Sequence, residues 1–480
     1  MFERKSIMID TTMLDGKKHI HFIGIGGSGM YPLVQILHAK GYNIFGSDNN
    51  ETETLEAVRK LGCTVFMGQC SENIKGADLI VYSAAIMADN PELVASRNSG
   101  VPVLERSELL GIVSSWYNNA VCVCGTHGKT TATSMLTQIF LEAGEDISCF
   151  IGGKLKAIGG GSGRFGSSDT FVCESCEFVD TFLKLYPDIA VILNIDADHL
   201  DYFKTLDNIK KSFRKFASMA TKALVVNGDD ANTMEAINGL EKEVITFGFG
   251  ESNNFYSKII SSKGLRTEFE VYHDGKLLSK MAIHVPGVHN VLNATAAIAA
   301  ATYCGIGLEP IKTAFEKFGG AGRRFEKIAE VNGITIVDDY AHHPAEISVT
   351  LKAAKSLDFN RVWAVFQPFT YSRTQLLMDD FAQALQIADK VVLTDIMGSR
   401  EKNTEHIYTR QLAQKIPDCI YFDTDDKLCD MQTAQQKEKN FDEIIEVLLK
   451  EVKSGDMVIT LGCGDAYKLS KKYARLLENK

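Results

Sequence analysis

The sequence predicts an α/β protein of several domains, and three observations carry that prediction. Short β-rich apolar runs alternate with helix-like segments along the whole chain, the pattern of parallel strands joined by helical crossovers. Two glycine loops each follow such a run directly and open a helix-like segment. At 480 residues the chain exceeds the size at which a single core stops growing.

Taken in order, "HIHFIGIG", "LIVYSAA", "NAVCVCG", "DIAVILNID", "KALVVNGDD", "RVWAVFQ", "KVVLTDI" and "DMVITLG" read as buried strands, each closing on a glycine, aspartate or polar turn. A first boundary falls near residue 115, after "ELLGIVSSW". From "FGFGESNN" to "HVPGVHN" the pattern changes to alternation around a "HDGK" turn, which reads as an antiparallel insertion. A second boundary falls near "FGGAGRRFEKI", after which α/β alternation resumes. The expected domains are 1–115, 116–326 and 327–480.

Charge and composition narrow the class. The 51 basic and 61 acidic residues leave a net charge of −10, which argues against nucleic acid as a partner. No run reaches the roughly 20 apolar residues that span a bilayer, and "MFERKSIMIDTTMLDGKK" lacks an apolar signal core. Eleven scattered cysteines form no disulfide framework, so a reducing, cytoplasmic setting is expected. Cys173 and Cys176 make a lone C-x-x-C without a second Cys or His pair, a weak basis for redox or metal chemistry.

The first loop, "HFIGIGGSGM", places Gly24, Gly26 and Gly29 in the G-x-G-x-x-G spacing after a strand, and Asp48 ends the next strand-like run, "NIFGSD". This is the dinucleotide-fold fingerprint: glycines let the backbone approach a pyrophosphate at a helix start, and the carboxylate reaches a ribose. The second loop, "VCVCGTHGKTTATSML", departs from G-x-x-x-x-G-K-[ST]; Val123 stands where the first glycine belongs, and Gly125 comes two residues later. The shorter turn keeps the working parts. Backbone N–H groups and the helix dipole favour an anion, Lys129 adds a cation for the phosphates, and Thr130 supplies a hydroxyl for Mg²⁺. Glu174 and Glu177 in "FVCESCEFVDTF", and Asp196, Asp198, His199 and Asp201 in "NIDADHLDYF", follow other strands. In a parallel sheet those ends share one edge with the phosphate loop, so the groups can converge on a metal. A dehydrogenase explains the first loop alone and a simple ATPase the second. An ATP-dependent enzyme acting on a nucleotide-linked substrate explains both.

Several longer blocks carry a resemblance. With "GTHGKTT", "HFIGIGGSGM", "NIDADHLDYF", "VPGVHNVLNATAAIAAA", "GAGRRFE" and "VDDYAHHPAEI" in order from about residue 20 to 465, the chain resembles the Mur ligases, bacterial enzymes that add amino acids to a nucleotide-sugar precursor of the cell wall. The resemblance implies a Rossmann-like N-terminal domain holding the UDP end of the substrate at Gly24, Gly26, Gly27, Ser28, Gly29 and Asp48, helped by Ser83. It implies a central P-loop ATPase-like domain with an antiparallel insertion, binding ATP at Gly125, Thr126, His127, Gly128, Lys129, Thr130 and Thr131, with His289, Asn290 and Asn293 near the adenine. Thr130 and Glu174 would hold one Mg²⁺ and His199 a second. A Rossmann-like C-terminal domain would close over ATP, with Asp339 towards the ribose, Arg324 towards the phosphates, and His342 and Arg373 receiving the amino acid. His342 is then either a base or an orienting donor. Phe369 and Thr370 stand where the family often has His and Arg, which leaves the amino-acid site leaning on Arg373. The implied reaction joins L-alanine to the lactyl carboxylate of UDP-N-acetylmuramate through an acyl phosphate, in peptidoglycan precursor synthesis, by a monomer or homodimer.

Overall fold

The computed structural model describes residues 10–398, 401–422 and 434–479; the side chain of Asp201 lies outside the described ones. Three sheets organise them. The first is wholly parallel, with β1 (His19–Ile23), β2 (Asn43–Asp48), β3 (Thr64–Met67), β4 (Leu79–Tyr82) and β5 (Val103–Glu105) in the order β3-β2-β1-β4-β5. The order reverses direction at β1, the switch point where such sheets bind ligands. The helix Tyr31–Ala39 starts with Pro32 in its first turn and buries Leu33, Val34, Ile36 and Leu37. Burying each leucine contributes about 2 kcal/mol, and these side chains share one core with Ile20 and Phe22 of β1.

The second sheet has ten strands. They are β6 (Asn119–Cys124), β7 (Ser148–Leu155), β8 (Gly161–Arg164), β9 (Thr170–Glu174), β10 (Ile189–Ile192), β11 (Ala223–Asn227), β12 (Glu243–Gly248), β13 (Phe255–Lys263), β14 (Arg266–His273) and β15 (Lys276–Ile283). Their order is β15-β14-β13-β12-β11-β10-β6-β9-β7-β8. From β13 to β7 the neighbours pair in parallel. The expected antiparallel insertion joins the sheet through a parallel pairing: β13 sets Phe255 beside Phe247 in parallel register. The cause is the loop between them, which folds back onto Asp229; that carboxylate accepts Phe249 N–H at 2.6 Å, Gly250 N–H at 3.0 Å and the Asn253 amide at 2.7 Å. The "HDGK" turn behaves as read, with Asp274 and Gly275 at φ 47° and 77° between β14 and β15. At the other edge β8 pairs antiparallel with β7.

The third sheet holds β16 (Glu326–Val331), β17 (Ile334–Asp339), β18 (Val362–Phe366), β19 (Lys390–Leu393), β20 (Ile420–Tyr421) and β21 (Met457–Leu461) in the order β16-β17-β21-β18-β19-β20. Only β16 runs antiparallel to its neighbour. The first two sheets fall in one compact unit and the third in another. Among the described residues no helix is long and apolar enough to cross a membrane.

Candidate active site

β6 is buried along "AVCVC" and ends in a turn whose shape only glycine accepts easily. Gly125 has φ 144° and Gly128 φ 88°. Gly128 directly precedes the helix Lys129–Glu142, and a Cβ on it would stand 2.5 Å from Asn293 Oδ1. Asn293 sits on the helix Val288–Tyr303, whose alanine-rich face packs against Lys129–Glu142, and it donates to Asn290 Oδ1 at 3.1 Å. Asn194, just past β10, clasps the turn from the other side: it accepts His127 N–H at 2.8 Å and donates to His127 O at 3.0 Å. Thr126 Oγ1 accepts the Asp196 N–H at 2.9 Å. His289 lies near His127; its crowded surroundings, then that neighbouring charge, lower its pKa.

The charged groups converge where the parallel sheet predicts. Lys129 Nζ donates to Gly125 O at 2.6 Å and Thr126 O at 3.0 Å, and stands 3.1 and 2.9 Å from the two Glu177 oxygens. Burial pulls the Lys129 pKa down, but Glu177, Cys176 and Glu174 more than offset it and the net direction is up. The ammonium therefore stays charged. Thr130 Oγ1 donates to Glu174 at 2.9 Å, and the other Glu174 oxygen accepts Gly152 N–H at 2.7 Å. His199 Nε2 lies 3.9 Å from Glu177. Asp198 turns to the His199 N–H at 2.6 Å. Backbone strain gathers here: Val179, Asp180 and His199 all have φ between 52° and 56°. Such conformations cost roughly 1–3 kcal/mol each and persist where the surroundings hold them. Tyr202 donates to Asp180 at 2.8 Å, and the Phe178 ring lies 4.7 Å from that of His199.

Mg²⁺ fits this donor set. One hydroxyl, two carboxylates and one imidazole are gathered, with Lys129 paired to Glu177 beside them. Among the described residues no group of three or more His, Cys, Asp or Glu is placed to hold a metal ion by itself; a Mg²⁺ here would need substrate phosphates and water as further ligands. Cys173 and Cys176 are free thiols, and Cys173 is buried, which raises its pKa. Raised thiol pKa values do not suit redox chemistry.

The first loop faces the same region. Gly24 turns at φ 81°, Gly27 N–H bonds Gly24 O at 3.1 Å, and Ser83 Oγ accepts Ala85 N–H at 3.2 Å. Asp48, expected towards a ribose, uses one oxygen on Gly26 N–H at 2.9 Å and the other on Asn50 N–H at 3.0 Å. A cavity of about 240 Å³ runs from Ser28 and Gly29 to Gly152 and Glu174. It links the glycine loop to the Glu174 carboxylate that accepts the Thr130 hydroxyl.

In the second unit the expected residues lie around the end of β17. Asp339 is buried; it accepts Phe325 N–H at 2.7 Å and Ala341 N–H at 2.8 Å. Burial pushes its pKa up to about 6 against the opposing pull of Arg324. The Arg324 guanidinium lies 5.3 Å from the Tyr340 ring centre. His342 Nδ1 is 3.1 Å from Tyr340 O and 3.3 Å from Glu346. Burial lowers the His342 pKa, Glu346 opposes, and Arg373 adds to the lowering. The imidazole is thus neutral at pH 7. Thr370 has φ 63° and donates its N–H to Met397 O at 2.9 Å, which fixes the loop that carries Arg373.

Three family models match in sequence. "Mur ligase family, catalytic domain" covers residues 19–117, "Mur ligase middle domain" 123–301 and "Mur ligase, glutamate ligase domain" 323–464. The chain belongs to the Mur ligase family. Among relatives in that family, the UDP-N-acetylmuramate–L-alanine ligase of Caldanaerobacter subterraneus subsp. tengcongensis is 44% identical over 97% of this chain and 99% of its own. The crystal structure of a UDP-N-acetylmuramate–alanine ligase from Thermotoga maritima superposes with a TM-score of 0.81 at 28% identity, over 97% of this chain and 100% of that one. A murein peptide ligase from Psychrobacter arcticus gives 0.71 at 25% identity, over 96% and 99%.

Sequence reasoning passed over several residues of this Mur ligase site. Asn194 sits in "ILNID" and Glu346 in "HPAEI", each the polar residue next to a motif already singled out. Arg323 is hidden beside Arg324; it binds Asp338 at 2.9 Å and Gly464 O at 3.1 Å. The adjacent pair in "GRRF" gives no sign that one arginine is structural.

Proposed function

We propose that this chain is an ATP-dependent ligase that joins L-alanine to the lactyl carboxylate of UDP-N-acetylmuramate, giving UDP-N-acetylmuramoyl-L-alanine, ADP and phosphate. The carrying observation is the cavity that runs from the Ser28–Gly29 loop to Glu174: a nucleotide-linked substrate held at one end presents its carboxylate at the other. The names of the relatives over nearly the whole chain support the choice of sugar nucleotide and amino acid.

The residues divide the work by their chemistry. Gly24, Gly26, Gly27, Ser28 and Gly29 hold the UDP end, with Asp48 and Ser83 bracing the loop. Gly125 to Thr131 cradle the ATP phosphates, and Lys129 exchanges its carbonyl partners for phosphate oxygens. Asn290, Asn293 and His289 back that loop. Thr130 and Glu174 would hold one Mg²⁺ and His199 a second, and these ions would supply charge neutralisation between carboxylate and phosphate. The carboxylate oxygen attacks the γ-phosphorus and ADP leaves. The amine of alanine then attacks the acyl carbon, loses a proton, and phosphate departs carrying that oxygen. Arg324 steadies the transferring phosphoryl charge. Neutral His342, oriented by Glu346, and Arg373 receive the amino acid; Asp339 orders their loop.

The route is tested with UDP-N-acetylmuramate labelled with ¹⁸O in the lactyl carboxylate. An acyl phosphate puts one labelled oxygen into the released phosphate. Unlabelled phosphate from a reaction that still makes the amide would overturn the route.

A further inference from the structure

We propose that Arg106 is an anion-binding residue of the sugar-nucleotide site, its guanidinium taking the pyrophosphate held at the glycine loop. The inference rests on reading the first domain as the UDP-sugar domain. Arg106 opens the helix Arg106–Ser114 at the end of β5. β5 is parallel to β4 and β4 to β1, so this end lies at the same sheet edge as the glycine loop. Glu105 Oε2 and Glu108 are engaged elsewhere, and neither carboxylate pairs with the guanidinium. Glu105 accepts Ser107 N–H at 3.0 Å and Lys184 Nζ at 3.1 Å, and Glu108 accepts Glu105 N–H at 2.7 Å. Among the described residues none pairs with the Arg106 guanidinium.

The side chain lies along Gly29. A Cβ at Gly29 would stand 3.3 Å from Arg106 Cδ, 3.5 Å from Nε and 3.7 Å from Cζ. The third glycine of the loop thus clears room for this arginine as well as for the backbone. Arg106 also lines the cavity that runs from Ser28 and Gly29 to Glu174. The cavity is polarised: a cation stands at its glycine-loop end and a carboxylate at the other. A half-buried guanidinium without a counter-ion loses solvation that a bound anion restores. Its planar fork matches phosphate oxygens two at a time. The reacting carboxylate belongs beside Glu174 and the Lys129 loop, so the anion at Gly29 is the pyrophosphate.

The test titrates UDP and uridine calorimetrically into wild type, Arg106→Ala and Arg106→Lys, and measures the KM values for UDP-N-acetylmuramate and ATP. Arg106→Ala is expected to bind UDP roughly 10- to 100-fold more weakly, to bind uridine as wild type does, and to keep its KM for ATP. Arg106→Lys recovers part of the loss. Gly29→Ala, which displaces the guanidinium without removing it, gives a milder version of the same signature and serves if Arg106→Ala does not fold. Equal losses for UDP and uridine would make the residue structural and overturn the proposal. So would unchanged UDP affinity with a raised KM for the sugar nucleotide, since the arginine would then meet the carboxylate. Wild type that binds no UDP would overturn the UDP-sugar reading itself, a result separable from any difference between variants.

Discussion

At the scale of single residues, the site is built around a lysine whose charge is stabilised by one buried carboxylate. The Lys129 and Glu177 side chains are 14% and 3% exposed, so removing either leaves the other charge without its partner in a poorly solvated place. Lys129→Ala is expected to lower kcat about a thousandfold or more while UDP binding stays as in wild type. It should also cost about 3 kcal/mol of stability at neutral pH. Lys129→Ala with Glu177→Gln should recover most of that stability and none of the activity. Denaturant melts and phosphate-release rates on the three variants check this. Asp339 makes a second residue-level prediction. Its folded pKa of about 6 lies above its ordinary value of 3.8, so the folded state holds the proton more tightly. Its contribution to stability is complete below pH 4 and is lost as pH rises through 6, a change of about 3 kcal/mol at about 1.4 kcal/mol per unit. Asp339→Asn should flatten that part of the stability–pH curve between pH 4 and 6. An unchanged curve would mean that Asp339 does not titrate there.

At the scale of elements, the turn after β6 works because its neighbours leave it one shape. Gly128 has φ 88° and its missing side chain makes room for Asn293. Gly128→Ala should therefore weaken ATP binding and destabilise by about 1–3 kcal/mol, read as a raised KM for ATP and a lower Tm. The helix Tyr31–Ala39 makes a similar demand on the β7–β8 hairpin. A Cβ on Gly163 would stand 2.6 Å from Pro32 Cα, and Gly163 N–H bonds Gln35 at 3.2 Å. Gly163→Ala should loosen the seat between the first two sheets, seen as faster amide exchange in Tyr31–Ala39. This is also where the sequence was hard to read. Buried strands such as β6, β10 and β21 announce themselves as apolar runs. β7 and β8 lie in "SCFIGGKLKAIGGGSGR", where glycines break both the run and the alternation. The parallel entry of β13 was hidden for another reason. It depends on Asp229, a residue in a different turn, gathering the loop onto itself.

At the scale of the whole molecule, the two phosphate-type loops lie in one compact unit, and a cavity runs from the first of them to Glu174, whose carboxylate accepts the Thr130 hydroxyl of the second. The motifs were legible because each is local: a strand, a turn and a helix start in consecutive residues. What remained illegible was pairing across distance. Glu174 and Glu177 are three positions apart, and only the fold sends one to Thr130 and the other to Lys129. In the same way, "AHHP" offers two histidines, and Glu346 accepts the backbone N–H of both; the rings distinguish them, since that of His342 meets Glu346 whereas that of His343 caps the helix Pro344–Lys355.

The account stands or falls on coupling between the sugar nucleotide, the amino acid and ATP cleavage. The most direct measurement is phosphate release from MgATP with UDP-N-acetylmuramate present and single amino acids, or a wall-type tripeptide, added in turn. Release that needs the sugar nucleotide and is greatest with L-alanine is the predicted result. Release independent of the sugar nucleotide, or driven by the peptide in place of alanine, would contradict it.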